Sequence, residues 1–330
     1  MSLSRIIGYD RNIALLRRSL ESGKLSHAYL FNGIDASGMR ETARALIEAV
    51  FCGGTDGCGT CPSCRKIAGG NHPDLHVLQP DGAFIKIDQI RELQRELSYR
   101  PFEAPKKACI IEDADRMNPA AANAFLKTLE EPPGDALLIL TTTHVDAVLP
   151  TILSRCQQLR FPPLPTETIA AHLRETGVDE DSARIAAALA GGSIERARDL
   201  LENDGLQSRK SLLEKFATLS GDEIIPLFAT AEAYAKDKEN ALNLVDLLNV
   251  FWRDILLAHA GSPAIVNTDL LPLIQGLSAR HSLAGIMERL DRISRTRLAL
   301  TRNANPRLAV EVLFMELAGR QPDSTTEIRS

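Results

Sequence analysis

With 330 residues, 25% of them charged, and a formal net charge of −5, the chain is long enough for two or three domains. It lacks the strongly basic balance of a dedicated nucleic-acid-binding domain. The opening MSLSRIIGYDRN carries no apolar secretory core, and no uncharged apolar run approaches the ~18 residues of a membrane helix, so a soluble, cytoplasmic protein with no membrane partner is expected.

The first strand is expected at HAYLF, residues 27–31, a short run rich in aromatic and aliphatic side chains. A helix should follow, with Ala43, Leu46, Ile47 and Val50 on one face. Between them lies GIDASGMRET, residues 33–42. A phosphate-gripping loop consists of Gly, four free positions, then Gly-Lys-Ser/Thr between a strand and a helix. Gly33 and Gly38 keep that spacing, but Met39 replaces the Lys and Arg40 the hydroxyl. A Met thioether cannot supply the point charge that holds β- and γ-phosphates, and Arg40 puts a cation where a hydroxyl would ligate Mg²⁺. Asp35 adds an anion to a loop that should receive anions. The alternative is an ordinary strand-to-helix turn with two glycines.

Four of the six cysteines follow this helix, in CGGTDGCGTCPSC: Cys52, Cys58, Cys61 and Cys64. Two overlapping Cys-x-x-Cys steps with a fourth thiol nearby suit tetrahedral thiolate binding of Zn²⁺. Disulfides are disfavoured in a reducing compartment, and the Cys-Pro that closes many iron–sulfur runs is missing. Four thiolates leave no open coordination position, so the metal's role should be structural. Cys109 and Cys156 read as small apolar residues, Cys109 within a strand.

From 75 to 161 strands and helices alternate, predicting a largely parallel sheet covered by helices. DLHVL, KACIIED, ALLILTTT and QQLRF are the strands. Ile87, Ile90, Leu93 and Leu97 mark one helical face; Asn118-Pro119 starts the helix PAAANAFLKTLEE, which stops at Pro132-Pro133. The acids Glu112, Asp113 and Asp115 read, taken alone, as a solvated strand end. PPLP at 162–165 marks a boundary, three short helices punctuated by Gly177 and Gly191-Gly192 follow, and longer helices such as NALNLVDLLNVFWRDILLAHA fill the remainder. The polar tail GRQPDSTTEIRS is expected to be frayed.

These stretches resemble the bacterial DNA polymerase III clamp loader, an AAA+ family. The resemblance rests on LSHAYLFNG, the four-cysteine insertion after the loop helix, NAFLKTLEEPP, TILSRCQQL and NANPRLAVEVLF. It implies an α/β AAA+ domain at 1–163, with a RecA-like parallel sheet, helices on both faces and a zinc module at 52–64. A small helical lid domain at 164–205 and an all-α collar domain at 206–330, for oligomerisation, would follow, with 319–330 as a disordered tail. Active members carry an intact loop, an Asp-Glu pair after the central strand and a sensor Arg in the lid. Here the loop is degenerate, the pair is Glu112-Asp113, and Glu195 stands at the sensor position beside Arg196; Thr142 falls where a first sensor would be. The resemblance therefore implies a non-hydrolysing subunit that does not bind ATP. Its partners would be gamma/tau-type ATPase subunits and a delta subunit in a hetero-pentameric ring, which loads the sliding clamp on primed DNA. It also implies that Arg155, after Ser154 in PTILSRC, is an arginine finger acting in trans; the plain alternative is a helix cap.

Two other functions fit parts of the chain. One is an active gamma/tau-like ATPase with an unusual loop. The other is a stand-alone zinc-bearing DNA-binding protein using Arg91, Arg95, Arg100, Lys106, Lys107, Arg292, Arg295 and Arg297, although such charges are mostly solvated helix faces.

Overall fold

Five short strands pair into one parallel sheet: β1 (Ala28–Gly33), β2 (Leu75–Leu78), β3 (Ala108–Ile111), β4 (Leu137–Thr142) and β5 (Gln157–Phe161), in the order β2-β3-β4-β1-β5. This computed structural model describes residues 2–202, 205–218, 229, 231–232 and 234–318. The expected frayed tail, 319–330, lies outside them. The chain divides into two compact units, Met1–Asp199 and Leu200–Ser330.

Parallel strands covered on both faces read as unbroken hydrophobic runs, and β3 and β4 are buried at every position. Successive side chains on a strand face opposite ways. Ala28, Leu30, Cys109, Ile111, Leu138 and Leu140 share a core with Ile90, Leu93 and Leu97 of α4 (Ile87–Ser98) and Phe125 and Leu129 of α5 (Pro119–Glu130). The alternate residues Tyr29 and Phe31 belong to the other face, where α2 (Ala36–Cys52) packs on β1 and β4 and α1 (Asp10–Glu21) on β5. Aromatic contacts knit that side: Phe31 lies 5.1 Å from Phe161 and Tyr9 4.7 Å from Phe161, ring centre to ring centre. The expected start of α5 is realised, since the Asn118 side chain accepts from the Ala121 N–H at 2.8 Å ahead of Pro119.

α3 (Pro62–Ala68) lies in the cysteine insertion, and the short α6 (Pro150–Leu153) precedes β5. Three helices complete the first unit: α7 (Thr166–Glu175), α8 (Glu180–Leu189) and α9 (Ile194–Leu201). Gly192, at φ 96°, turns the chain into α9 so closely that an added Cβ would lie 2.5 Å from Pro163.

The second unit is helical throughout its described secondary structure. Its Lys238–His259 helix packs against the Leu271–Arg280, Leu283–Thr301 and Pro306–Ala318 helices. Phe216, Leu248, Phe251, Ile255, Ile274, Ile293 and Phe314 form its core.

Candidate functional site

The carboxyl ends of β1, β3 and β4 converge where an α/β sheet ordinarily receives a ligand, and the degenerate loop lies there. Gly33 is the last residue of β1, and α2 starts three residues later with Asp35 as its N-cap. Both loop glycines are demanded by protein atoms. A Cβ on Gly33 would lie 2.2 Å from the Phe161 carbonyl oxygen, and one on Gly38 2.6 Å from Asp35 Oδ2 and 2.8 Å from the Tyr9 ring. Met39 is fully buried, so the position of the missing Lys has become core.

The first turn of a helix offers free N–H groups and a positive dipole end, which favour an anion. Here the chain supplies its own anions. Glu195 of α9 accepts from the Ser37 N–H at 3.0 Å through Oε2 and pairs through Oε1 with Arg40 Nη2 at 2.5 Å. Asp35, fully buried, accepts from the hydroxyls of Tyr9 (3.2 Å), Ser37 (3.1 Å) and Ser193 (3.2 Å). Burial pushes the Tyr9 hydroxyl far above the usual phenol range, and the charge and hydrogen bond of Asp35 add to the shift, so Tyr9 remains a donor. Burial alone would lower Arg40, but the hydrogen bond and charge of Glu195, with lesser help from Glu112 and Asp113, raise it. A phosphate entering this turn would meet two carboxylates. At 4 Å and an effective dielectric of ~20, each such like-charge pair costs about 4 kcal/mol.

The acidic end of β3 corrects the expectation of a solvated cluster. Glu112 is buried, with Oε2 accepting from Gln79 Nε2 at 3.0 Å, and Asp113 and Asp115 are half-buried. The reason is topological: β3 lies between β2 and β4, so neighbouring strand ends flank its acids. Asp113 adopts the left-handed conformation, φ 51°. Thr142, buried at the end of β4, donates to Asp115 Oδ1 at 2.5 Å and accepts from the His144 N–H at 3.0 Å.

Arg155 occupies the link between α6 and β5. Its Nε and Nη2 donate to Glu130 Oε1 at 3.0 and 2.5 Å, and its Nη1 donates to the Thr151 carbonyl at 3.0 Å. The exposed Ser154 donates to the same carbonyl at 3.1 Å and lies 3.4 Å from Arg155 Nη1. Carbonyl capping and carboxylate pairing, the plain alternative for this residue, are both present in the lone chain. Because β1 and β5 are parallel and Gly33 pairs with Phe161, Arg155 and the chain's own loop lie at opposite ends of β5. At ~3.3 Å per residue a five-residue strand separates them by roughly 16 Å.

The four cysteine sulfurs lie within 4.8 Å of one another, with Cys58–Cys64 and Cys52–Cys61 each at 4.0 Å. A tetrahedral Zn²⁺ with bonds of about 2.3 Å would set the sulfurs about 3.8 Å apart, whereas a disulfide needs about 2.05 Å. All six cysteines are free. The N–H groups of Cys61 and Cys64 donate to the sulfurs of Cys58 (3.3 Å) and Cys61 (3.4 Å), an environment that favours thiolates. The Thr60 hydroxyl and the N–H groups of Thr60 and Cys61 hold Cys58 down to about 5, while burial pushes Cys64 up to about 12. Cys52 ends α2, and Cys61 caps α3 ahead of Pro62, so two helix ends fix the set. The donor set fits a structural Zn²⁺ held by Cys52, Cys58, Cys61 and Cys64.

Most of the basic candidates for a nucleic-acid surface are paired. Arg91 faces Asp88, Arg95 Glu92, Lys106 Asp135, Arg292 Glu288, Arg295 Asp291 and Arg297 Asp246. Lys107, another of these candidates, is buried just ahead of β3, 7% exposed. No described helix is long and apolar enough to cross a membrane.

A profile of the family described as DNA polymerase III, delta subunit, matches residues 8–165, and one described as DNA polymerase III, delta subunit, C terminal, matches 203–318. The chain is 34% identical over 314 residues to DNA polymerase III subunit delta' of Bacillus subtilis, covering 93% of this chain and 95% of that protein. To the delta' subunit of Escherichia coli it is 30% identical over 268 residues, 79% of this chain and 78% of the relative. A similarity to the B. subtilis tau subunit, 25% over 353 residues, spans 98% of this chain and 62% of that longer protein. In fold, the chain is similar to the crystal structure of a gamma subunit-related protein of Thermotoga maritima, with a TM-score of 0.51 and 24% identity over 93% of this chain and 98% of the other.

Proposed function

The chain belongs to the DNA polymerase III delta-prime family, and from that premise we propose a clamp-loader subunit that holds no nucleotide and completes the site of a neighbour. The observation that carries this reading is the occupation of the α2 N-terminal Ser37 N–H by Glu195, beside the buried Asp35 at the N-cap. Where an ATPase would hold phosphate between loop and lid, this chain holds its own carboxylates. The lid charge is inverted: where a sensor Arg would stand, the anion Glu195 pairs with the cation Arg40 of the loop helix. Gln79 and Thr142 keep Glu112 and Asp115 engaged within the chain.

In this reading Arg155 extends to a γ-phosphate bound by an adjacent gamma/tau-type subunit, with Ser154 beside it. Its distance from the chain's own loop supports action in trans, since it cannot serve a site at the other end of the strand. A guanidinium is always charged and forks onto phosphate oxygens. Zn²⁺ on the four cysteines braces the insertion without chemistry of its own. The sheet domain, 1–163, and the lid, 164–205, would lie in the ring of AAA+ domains, and the helical region from 206 in the collar. The exposed Leu308, Val312 and Met315, on one side of the Pro306–Ala318 helix, are apolar surface suited to a neighbouring collar. The ring would contain delta and gamma/tau subunits, work in the cytoplasm, and meet the sliding clamp and primed DNA as a complex.

Titration calorimetry of the isolated chain with ATP and ADP tests the empty-site reading. No saturable micromolar binding is expected; a clear micromolar isotherm would return the chain to the gamma/tau-like ATPases.

A further inference from the structure

Arg155 is not free to act in the conformation the lone chain adopts. A guanidinium has five N–H groups. Nε and Nη2 both point at Glu130 Oε1, and Nη1 reaches the Thr151 carbonyl at 3.0 Å with Ser154 Oγ at 3.4 Å. One N–H of Nη2 remains, and a fork onto phosphate needs two parallel donors. The finger must therefore release a partner before it can act. Glu130 is the residue whose presence calls for explanation. It is the last residue of α5, where the negative end of the helix dipole disfavours a carboxylate, so helix stability gives no reason for an acid there.

We propose that Glu130 is a positioning residue: it holds Arg155 in a resting pose and competes with the neighbour's γ-phosphate for it. The proposal rests on the reading of Arg155 as a finger in trans. Competition requires a hold that is real but weak. The Arg155 and Glu130 side chains are 35% and 52% exposed, and an exposed pair shifts an equilibrium by at most a few-fold. A phosphate with more charge and three acceptor oxygens displaces such a partner once the ring brings it within reach, and a misaligned ring leaves Arg155 on Glu130. The device thus lowers hydrolysis by a loader that has not yet met its clamp and DNA.

The test uses the reconstituted loader carrying Glu130→Gln, Arg155→Ala or both. Glu130→Gln removes the charge and keeps the shape and an acceptor, so folding and assembly should persist. The expected result is a rise in unstimulated ATP hydrolysis of about two- to five-fold, the range of an exposed ion pair, with the clamp- and DNA-stimulated rate nearly unchanged. The rise should vanish in the double variant, a dependence on Arg155 that a purely structural role for Glu130 would not produce. If Arg155→Ala lowers hydrolysis but Glu130→Gln leaves the unstimulated rate alone, the finger stands and the resting pose is overturned. If the rise persists without Arg155, Glu130 acts by another route and the proposal fails. If Arg155→Ala changes nothing, the finger reading itself is lost.

Discussion

At the scale of single residues, Glu195 has the largest consequences. Its carboxylate takes an N–H of the α2 terminus and the Arg40 guanidinium together, and the Ser193 hydroxyl on the same approach meets Asp35. This ties α9 directly to the start of α2. Glu195→Ala should lower stability by about 1 kcal/mol, the scale of one half-exposed charged hydrogen-bond set, read as an earlier urea midpoint with unchanged slope. Added ATP should not restore the lost stability if, as proposed, the loop with Asp35 and Met39 holds no phosphate. An unchanged midpoint would mean that the pair is ornamental and the lid is held by packing alone.

Secondary-structure elements set a second scale, and the cysteine insertion shows it best. Asp56 ties the insertion to the start of the chain: it accepts from the N–H groups of Leu3 (2.6 Å) and Ser4 (3.2 Å) and pairs with Arg17 of α1 at 3.1 Å. Burial alone would raise its carboxyl, but the hydroxyls of Ser2 and Ser4 and the N–H groups of Leu3 and Ser4 bring it from 3.8 down to about 2. A carboxyl depressed in the folded state stabilises above its unfolded value and loses that contribution as the pH falls through the folded one. The Asp56 contribution should therefore be complete above about pH 4 and disappear towards pH 2. Asp56→Asn should be less stable at pH 7 and show a shallower loss between those limits; parallel acid-unfolding curves for the two proteins would remove Asp56 from the account. Metal analysis should find one Zn²⁺ per chain. Stripping it, or Cys61→Ser, should lower the melting temperature and raise hydrogen exchange in α3 and the end of α2, while the sheet keeps its protection. Iron with brown absorbance, or exchange unchanged by chelation, would contradict the zinc assignment.

Elements were also where the sequence was most legible. All five strands were legible as short segments between turn residues, four of them apolar, and Asn118-Pro119 marked the start of α5, because these signals are local. The order of the strands was not legible, since alternation says nothing about neighbours. Nor was the partner of Arg40, which lies 155 residues away in another element. The sequence flagged both Arg40 and Glu195 as departures from a working ATPase, yet only the fold shows that the two departures meet. Glu112 misled because acids after a strand are usually solvated, and here flanking strands cover it.

For the whole molecule, the first unit carries the degenerate loop at one end of β5 and Arg155 at the other, and the proposed function joins Arg155 to the loop of a second subunit. Fingers of this type are worth ~10³ to 10⁵ in rate at the site they serve in GTPases. In the proposed ring the other sites would have fingers of their own, so the loss should equal the share of one site. Arg155 is half-buried and its hydrogen bonds go to the partly exposed Glu130 and to a helix-end carbonyl, hence Arg155→Ala should fold and assemble. The decisive measurement is clamp- and DNA-stimulated ATP hydrolysis by the loader reconstituted with Arg155→Ala, with Arg155→Lys beside it. The account predicts a lowered rate from a fully assembled complex, with no recovery in the Lys variant, which has the charge and lacks the fork. An assembled complex that hydrolyses ATP and loads clamps at the unmodified rate would contradict it and leave Arg155 as a helix cap.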